Sequence, residues 1–507
     1  MEERLVDGIR EARAAAMDAA RPDAVAAIHA SGQLTARERL DALFDPGSFV
    51  EYGVLAEAAA DDPGEGPADG LVAGAGRIAG QPVVAASYDQ TVLDGTQSER
   101  NQRKLTRVLY LANAHRWPFV CFVDGAGARP NQSREGPAIA VGARSRWDIF
   151  DGLAELSGWA PSVAILSGTA MDGNVSIAML CDFVVATQGS TIGSHESPHS
   201  QDDPEAATRR SVSEYESRGD LDLLVADEPE AIEAARTYLS YYLTESESGP
   251  AADDATSIAE IIPDGRRRPY EMRKVIRSFA DADSVFELRP NWARSMITAL
   301  ARLDGRTVGI FANQPKSPLA GAIDADAADK ASRFIELCDA YEYPIVSFID
   351  NPGYMVGPQA ERAGIARHHA RPLAALQHRS VPLYSVQIRK AYGLGPSAMS
   401  GFGSSRSAPD LRLAWPSVES GGMSLEGAAY LVKRKEILAA KTPQEGLEIR
   451  DAYATKMRDL ASGIRAGRTY SFDDVLLPHE TRDRIAAMVK MTPRRLPEAK
   501  KHPIDPV

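Results

Sequence analysis

The chain has 507 residues, of which 44% are hydrophobic, and its net charge at pH 7 is −13. This length exceeds the usual size of a single hydrophobic core, so we expect two domains. The acidic balance argues against a nucleic-acid surface, because phosphate binding needs a basic excess. No stretch approaches the roughly eighteen apolar residues of a membrane span, and the N-terminus lacks the apolar core of a signal peptide. We therefore expect a soluble, cytoplasmic protein.

The first half of the chain is predicted to alternate helices and strands. An amphipathic helix at ARERLDALF comes first, and a short strand pair follows around the Ala79-Gly80 turn. A helix of roughly fifteen residues then leads to the apolar run FVCFVD, a pattern typical of a buried strand. This strand ends at Asp124 in the glycine-rich turn DGAGAR, and a second helix leads to another buried strand, SVAIL.

The second half repeats this order of elements. Gly80 matches Gly305 at an offset of 225 residues, and Asp124 matches Asp350 at an offset of 226. The apolar strands IVSFID and LYSVQI take the places of FVCFVD and SVAIL, and the turn DNPGYMVG again follows the aspartate. Self-similarity over this distance indicates that the chain consists of two homologous halves.

Repeated ββα units with glycine-rich turns after the strands predict an α/β fold with helices covering both faces of the sheets. We expect an N-terminal domain at residues 1–243 and a C-terminal domain at residues 258–507. The acidic, proline-containing stretch 244–257 is predicted to be the linker between them. The charged C-terminal tail, RRLPEAKKHPIDPV, is predicted to be solvated.

A glycine-containing turn follows the second buried strand of each half. Aligning SVAIL with LYSVQI places Asp172-Gly173 opposite Leu394-Gly395. Glycine lets the backbone approach a ligand closely, and each N–H aimed at a developing negative oxygen stabilises it by roughly 3 to 4 kcal/mol. The duplicated pair therefore predicts two oxyanion holes. A tight strand-to-helix turn that binds nothing accounts for the same residues and remains the alternative.

Side chains offer few other catalytic candidates. The sequence contains no zincin HExxH, no GxSxG elbow, no phosphate-binding P-loop and no paired CxxC motif. The segment HESPH, with His195 and His199, lacks a third metal ligand, so we expect a solvated turn and no metal site. Cys121, Cys181 and Cys338 lie in apolar runs and are predicted to be buried thiols of a reducing compartment.

The ordered motifs of the chain resemble those of the carboxyltransferase (beta) subunit of biotin-dependent acyl-CoA carboxylases, which belongs to the crotonase-like superfamily. The similarity extends from about Leu34 to about Arg484. In chain order it rests on LTARERLDALFDPGSFVEYG, SYDQTVLDGTQSERNQRK, DGAGAR, NQPKSPLAGAIDADAADKASRFIELCDA, FIDNPGYMVGPQAERAGIARHHA, RKAYGLGPSAMSG, AWPSVESGGMSLEGA and FDDVLLPHETR. The resemblance implies two crotonase-like (ClpP/crotonase) domains and an active site between one subunit's N-terminal half and another's C-terminal half.

The resemblance also implies roles for individual residues. The amides of Asp172 and Gly173 would hold the thioester oxygen of an acyl-CoA, and those of Leu394 and Gly395 would hold the ureido oxygen of biotin. The other implied positions lie in the turns around these pairs. Substrate-binding positions are Gly125, Ala126, Gly127, Met171 and Ser397, and cofactor-binding positions are Tyr392, Gly393 and Pro396. Ser397 matches a position that influences acyl-chain size in relatives, and a small serine leaves the pocket length open.

The chemistry implied by the resemblance needs no catalytic side chain. Carboxybiotin loses CO2 in a water-poor cleft, and the biotin enolate that remains removes the α-proton of the acyl-CoA. The protein orients the partners and stabilises two oxyanions, for which backbone N–H groups suffice. The implied cofactors are biotin on a separate carrier and acyl-CoA, with no metal. The implied partners are a biotin carboxylase, a biotin carboxyl carrier polypeptide and further copies of this chain, with dimer and hexamer both open.

Departures from the family pattern concern the acyl-CoA side. Asp172 stands where most relatives carry glycine or alanine, and a carboxylate there would repel an enolate. Ala126 replaces a glycine, and the segment 192–222 is polar and charged where relatives have a glycine- and proline-containing turn. The leading interpretation is a carboxyltransferase for a short acyl-CoA, such as acetyl- or propionyl-CoA. Two alternatives stay open: a biotin-independent decarboxylase of a malonyl-type CoA that uses Asp172 as acid or base, and a non-catalytic paralogue.

Overall fold

The computed structural model describes residues 2–58, 66–129, 144–194, 209–245, 258–265, 268–401, 406–460 and 462–506. The chain divides into two compact units. The first contains Met1–Thr244 together with Glu498–Pro506, and the second contains Glu245–Pro497. Residues 246–257, which make up most of the predicted linker, lie outside the described residues. The domain boundaries drawn from the sequence therefore remain a prediction.

The first unit is a mixed α/β structure. Its helices are α1 (Glu2–Ala15), α2 (Pro22–Ala30), α3 (Ala36–Leu43), α4 (Glu99–His115), α5 (Arg144–Leu156), α6 (Gly173–Met179), α7 (Val212–Arg218) and α8 (Glu228–Leu243). Its strands are β1 (Val50–Tyr52), β2 (Leu71–Ile78), β3 (Gln81–Tyr88), β4 (Phe119–Phe122), β5 (Ser162–Leu166), β6 (Thr169–Met171), β7 (Phe183–Thr187), β8 (Thr191–Gly193), β9 (Arg209–Ser211) and β10 (Leu223–Val225).

Seven of these strands form one sheet in the order β1-β2-β3-β4-β5-β7-β10. The pairs from β3 onward are parallel, whereas β1, β2 and β3 pair antiparallel. Strands β6, β8 and β9 form a separate small sheet. Because β5 and β6 belong to different sheets, the chain leaves the main sheet after Leu166, close to the predicted oxyanion turn.

The second unit is built in the same way. Its helices are α9 (Ile258–Ile261), α10 (Met272–Phe279), α11 (Ala325–Ala340), α12 (Pro358–Arg362), α13 (Ile365–His368), α14 (Ala370–His378), α15 (Gly395–Ser400), α16 (Leu425–Val432), α17 (Arg434–Leu438), α18 (Pro443–Leu460), α19 (Gly463–Arg468) and α20 (Thr481–Met491). Its strands are β11 (Phe286–Leu288), β12 (Met296–Leu303), β13 (Arg306–Asn313), β14 (Ile345–Asn351), β15 (Leu383–Tyr392), β16 (Leu411–Ala414), β17 (Glu419–Gly421) and β18 (Asp474–Val475).

These strands form a single sheet in the order β11-β12-β13-β14-β15-β16-β18, and β17 pairs with the end of β15. The pairs from β13 onward are parallel, as in the first unit. The predicted α/β class is therefore confirmed. Strand β15 pairs with β16 in its first part and with β17 in its last residues, so neighbours on that side hold both ends of the strand.

The hairpin at the start of each sheet shows the internal repeat in detail. In the first unit, Ala79 and Gly80 both have positive φ, which is the conformation of a two-residue hairpin turn. The carboxylate of Asp45 accepts hydrogen bonds from both of their N–H groups. In the second unit, Asp281 accepts from Asp304 and Gly305 in the same way. The predicted strand pairs at these glycine turns are confirmed.

Apolar side chains between the helices and the main sheet form a core in each unit. All three cysteines are buried and free, as predicted. Burial raises the pKa of the Cys121 thiol, because the charged thiolate would lose its hydration. No helix in the described ranges is long and apolar enough to cross a membrane.

The C-terminal tail differs from the prediction that it is solvated. Ile504 is buried, and its N–H donates to Ser157 Oγ at 3.0 Å. Lys500 Nζ donates to the carbonyl oxygens of Ala154 and Glu155 at the end of α5. One apolar residue in the tail therefore packs on the first unit, while its charged neighbours remain at the surface. The high overall charge of the tail does not predict the burial of this single residue.

Candidate active site

In the first unit, a buried carboxylate holds the loop that leads to the predicted oxyanion turn. Asp124, which is fully buried, follows β4. Its Oδ1 accepts hydrogen bonds from the N–H groups of Ser167 and Gly168, at 3.0 and 2.7 Å. Arg39 lies 2.9 Å from Oδ2 of Asp124 and 2.6 Å from Oε1 of Glu228. This buried cluster fixes the point at which the chain leaves β5.

The turn at residues 125–127 is hydrogen-bonded to the strand that precedes the second turn. Gly125 donates to Thr169 O at 2.8 Å and accepts from Met171 N at 3.0 Å. The N–H of Ala126 donates to Asp94 O at 3.1 Å. Met171 is buried. The structure thus brings together four residues predicted from distant parts of the first half: Gly125, Ala126 and Met171, with Gly173 two residues further on.

The predicted donor pair of the first unit is only half available. Asp172 N–H donates to Gly193 O at 3.0 Å, because the backbone continues the pairing of β6 with β8 for one more residue. The Asp172 N–H therefore already has an internal acceptor, and its role at the thioester oxygen stays a prediction. Asp172 itself has φ 48° and ψ −110°, a conformation that favours glycine. Among hydrogen bonds of the described residues, none uses the N–H of Gly173 at the start of α6.

Gln97 connects Gly173 to the other glycine turn. Its main chain donates to Gly127 O at 2.6 Å and accepts from Arg129 N at 2.8 Å. A side chain added at Gly173 would meet Oε1 of the same glutamine. The N–H of Gly127, like that of Gly173, takes part in no hydrogen bond within the described ranges. The first unit therefore offers one amide from each of two neighbouring turns, where the sequence predicted two consecutive amides.

The second unit repeats the buried carboxylate. Asp350, also fully buried, lies in β14. Its Oδ2 is 2.9 Å from Arg389 Nε, and its Oδ1 accepts from Lys390 N at 3.2 Å. The guanidinium of Arg389 also lies over the ring of Tyr270, at 4.7 Å. Asp350 therefore fixes β15 just before the glycine turn, as Asp124 fixes the chain after β5.

The Leu394-Gly395 turn retains both predicted amides. No hydrogen bond within the described residues uses the N–H of Leu394 or of Gly395. Leu394 is 54% exposed, so this edge of the turn is open to a ligand. Gly395 begins α15, where the orientation of the peptide dipoles favours a negative oxygen. The assignment of this turn to biotin stays a prediction.

Close packing explains why position 395 is glycine. A Cβ at Gly395 would lie 2.5 Å from Asn351 Oδ1 and 2.9 Å from Gly353 Cα. Asn351 is itself fully buried, and its Oδ1 accepts the N–H of Gly353 at 2.5 Å. Asn351 therefore supports the turn from below, a role that the sequence analysis missed. The only indication of this role in the sequence is that Asn351 directly follows Asp350, the aspartate that recurs in both halves.

The predicted cofactor-binding residues beside this turn are occupied with internal contacts. The hydroxyl of Tyr392 donates to Glu419 Oε1, and Gly393 N–H donates to Gly421 O at 3.0 Å. Pro396 has no N–H, and it lines with Ser397 a cavity of about 460 Å³. Two cations, Arg412 and Arg465, line the same cavity. The Tyr392 hydroxyl and the Gly393 N–H thus already have internal acceptors, and the assignment of these residues to the cofactor stays a prediction.

Several predicted features lie outside the described residues. They include His195 and His199, together with residues 195–208 of the altered segment 192–222. Within the described part of the chain, no group of three or more His, Cys, Asp or Glu side chains could hold a metal ion.

Comparison with known protein families identifies the family of this chain. The family described as "Carboxyl transferase domain" matches residues 27–503. The chain belongs to the carboxyl transferase family. The predicted resemblance is therefore confirmed over nearly the whole chain. The chain is therefore an enzyme, a carboxyltransferase.

Similar proteins agree with this family. The carboxyltransferase is 32% identical over 513 residues to the "Biotin-dependent acetyl-/propionyl-coenzyme A carboxylase beta5 subunit" of Mycobacterium tuberculosis, covering 95% of this chain and 91% of the relative. The crystal structure of transcarboxylase 12S, a hexamer assembly with methylmalonyl-coenzyme A bound, matches with a TM-score of 0.83 and 30% identity. That match covers 99% of this chain and 97% of the other.

A further solved structure is a single-chain, multi-domain long-chain acyl-CoA carboxylase. It matches with a TM-score of 0.85 and 37% identity over 95% of the carboxyltransferase. The carboxyltransferase spans about half of that chain, 48%. The predicted crotonase-like fold is thus confirmed by solved structures of the same family.

Proposed function

We propose that this carboxyltransferase transfers CO2 from carboxybiotin, borne on a separate carrier, to the α-carbon of a short-chain acyl-CoA such as acetyl- or propionyl-CoA. The observation that carries the proposal is the Leu394-Gly395 turn. Both of its amides are unused within the described residues, and the buried Asp350 and Asn351 at the end of β14 hold the segments next to it. Two such donors in one turn suit an oxygen that gains negative charge during the reaction.

The surroundings of this turn fit the ureido ring of biotin. An apolar groove of about 520 Å³ begins at Gly421, whose carbonyl accepts the N–H of Gly393. Its walls include Met423, Leu431 and Val432. A largely apolar bicyclic ring with one strong acceptor oxygen matches a groove of this kind beside two amide donors. When bound, carboxybiotin supplies the carboxyl group and the base of the reaction.

The protein's own contribution is positioning and charge stabilisation. On the biotin side, the amides of Leu394 and Gly395 would hold the ureido oxygen. On the acyl-CoA side, the amides of Gly173 and Gly127 would hold the thioester oxygen as it becomes an enolate oxygen. Each hydrogen bond lost from such a site costs about a hundredfold to a thousandfold in rate. Gly127 is the proposed second donor because the N–H of Asp172 already donates to Gly193 O.

The substrate and partners belong to the same proposal. Support for acetyl- or propionyl-CoA comes from the name of the mycobacterial relative, and support for a homo-oligomer from the hexamer assembly of transcarboxylase 12S. We include a biotin carboxylase and a biotin carrier polypeptide as partners, because carboxybiotin must be formed and delivered. A reducing, cytoplasmic location is consistent with three buried, unpaired cysteines.

The decisive experiment is an acyl-CoA panel. The purified chain is assayed with labelled bicarbonate, ATP and acetyl-, propionyl-, butyryl- or octanoyl-CoA, with and without the carboxylase and biotin-carrier partner. We expect acid-stable label in the acetyl or propionyl product only when the partner is present. Label with octanoyl-CoA alone would contradict the short-chain assignment.

A second arm of that experiment tests the alternative. Malonyl-CoA and methylmalonyl-CoA are incubated with the chain in the absence of biotin and ATP. Loss of CO2 under these conditions would support a biotin-independent decarboxylase, and absence of acyl-CoA binding by calorimetry would support a non-catalytic paralogue. Either result would overturn the proposed function.

A further inference from the structure

Tyr392 is the last residue of β15 and directly precedes the glycine turn. Its side chain is buried, and its hydroxyl donates to Oε1 of Glu419. Burial and the neighbouring carboxylate raise the pKa of the Tyr392 phenol. The phenol therefore stays protonated as a donor, and the carboxylate is its acceptor.

Glu419 begins β17, the short strand that pairs with the end of β15. Lys390 lies opposite Glu419 in this pairing, and Tyr392 lies opposite Gly421. The N–H of Gly393 continues the contact by donating to the carbonyl of Gly421 at 3.0 Å. Side-chain and backbone hydrogen bonds thus attach β17 to the two residues before the Leu394-Gly395 turn.

Arg458 connects this strand to a helical pair outside the sheet. It lies on α18, and its Nε is 3.3 Å from Oε2 of Glu419. Its Nη2 also pairs with Glu426 in the first turn of α16. Leu425, Ala429 and Ala454 form the small core between α16 and α18. One guanidinium therefore ties both helices to the strand that supports the turn.

Several charged side chains line a cavity of about 190 Å³ next to Tyr392 and form ion pairs with one another or with Asp350. The cavity is lined by Arg389, Lys390, Tyr392, Ser417, Glu419, Ser424, Glu426 and Arg458. Arg389 and Lys390 pair with Asp350 on the neighbouring strand. Arg458 pairs with Glu419, whose side chain is only 8% exposed. Loss of Arg458 would leave that carboxylate without this compensation in a place where water is scarce.

We propose that Arg458 is a positioning residue for the transfer reaction, acting through Glu419 and Tyr392 to hold the Leu394-Gly395 amides in one orientation. The inference rests on the proposed function of this turn. Gly393 has φ 63°, and a glycine-flanked turn has many accessible backbone conformations unless neighbours restrict them. Asp350 and Asn351 restrain the turn from β14, and the Arg458-Glu419-Tyr392 chain restrains it from β17.

The test compares Arg458→Ala, Arg458→Lys and Tyr392→Phe in the full chain with its carboxylase and biotin-carrier partner. We expect kcat to fall about tenfold to a hundredfold in Arg458→Ala and in Tyr392→Phe, because small displacements of an oxyanion donor have large effects on rate. The dissociation constant for acyl-CoA should change less than about twofold, and Arg458→Lys should recover part of kcat. Arg450→Ala is the control, because Arg450 lies on the same helix and pairs with exposed Asp451.

Hydrogen exchange measured by mass spectrometry supplies a readout that does not depend on activity. Peptides covering residues 389–401 should exchange faster in Arg458→Ala and in Tyr392→Phe, while peptides covering residues 166–180 of the first unit should not change. Unchanged exchange and unchanged kcat in both variants would overturn the inference, even if the melting temperature falls. Absence of transfer by the wild-type protein would refute the proposed function, and the exchange data would still decide the positioning role.

The double variant gives a further check. If Arg458 and Tyr392 act through one carboxylate, Arg458→Ala combined with Tyr392→Phe should lower kcat no more than about twofold beyond the larger single effect. If the two fold-reductions in kcat multiply in the double variant, Arg458 and Tyr392 do not act through the same carboxylate.

Discussion

Replacing Gly395 with alanine would place a methyl group where the structure has no room for one. The new Cβ would lie 2.5 Å from Oδ1 and 2.9 Å from Cγ of Asn351, and 2.9 Å from Gly353 Cα. Ordinary carbon contacts are about 3.5 Å or longer, so the turn must shift by roughly half an ångström to one ångström. Asn351 cannot simply rotate away, because its Oδ1 already accepts the N–H of Gly353.

This displacement should affect rate more than stability. Overpacking of this kind costs about 1 to 3 kcal/mol of folding free energy, which a unit of this size tolerates. Misplacing the amides of Leu394 and Gly395 should cost about a hundredfold in kcat, equivalent to about 2.7 kcal/mol of transition-state stabilisation. The KM for acyl-CoA should stay within about twofold, because that substrate is assigned to the other unit's turn.

The assay is biotin-dependent carboxylation by the complete complex, with kcat and KM measured separately. Gly8→Ala is the control, since Gly8 lies in α1, away from the turn in the sequence, and a Cβ there meets nothing within 4 Å. Gel filtration and a melting curve establish that both variants keep the native assembly. A Gly395→Ala enzyme with kcat within twofold of wild type would refute the assignment of this turn to the developing oxyanion.

Three further predictions concern other residues. Asp172→Gly should increase the rate of carboxylation, because it removes a carboxylate from the acyl-CoA side. It should also increase stability, because glycine adopts a φ of 48° without strain. Complete loss of activity would instead identify Asp172 as a catalytic acid or base. Asp350→Asn should lower the free energy of unfolding by about 3 to 5 kcal/mol in urea titrations, since Arg389 loses its buried partner, and a change below about 1 kcal/mol would contradict this. Burial lowers the pKa of Lys104 to about 8. Between pH 8 and 10.5 the unfolded chain therefore binds more protons at this site than the folded chain. The free energy of unfolding of the wild type, measured relative to Lys104→Met, should therefore rise with pH across that window. A difference between the two proteins that does not change with pH would contradict the lowered pKa of Lys104.

The internal repeat of the sequence predicts the positions of both candidate turns. Matching Asp124 with Asp350 pointed to the two strand ends, and both carboxylates are fully buried and hold the following segments. Alignment of the strands after them pointed to Leu394-Gly395, where both amides are unused in the described residues. These features depend on local pattern and on spacing, which a sequence displays directly.

The same alignment could not show that the Asp172 N–H has an internal acceptor, because equal positions in two homologous halves need not have equal hydrogen bonds. In the first unit the backbone after β6 continues to pair with β8, which occupies the Asp172 amide. In the second unit the N–H of Gly393 donates to Gly421 O. The next two amides, those of Leu394 and Gly395, donate to no acceptor within the described residues. The number of residues for which a strand continues its pairing depends on its neighbour, which comes from a distant part of the chain.

Sequence by itself determined the family, the α/β class, the two-fold repeat and the glycine turns, because apolar periodicity, glycine placement and recurring motifs are properties of short segments. Tertiary structure alone decided which amides are available, that Gln97 and Asn351 lie against the two turns, and that Arg458 reaches Glu419 from a helix 39 residues further along the chain. The physical reason is that a hydrogen-bond donor has a fixed capacity, and whether it is used internally is known only when all of its neighbours in space are known.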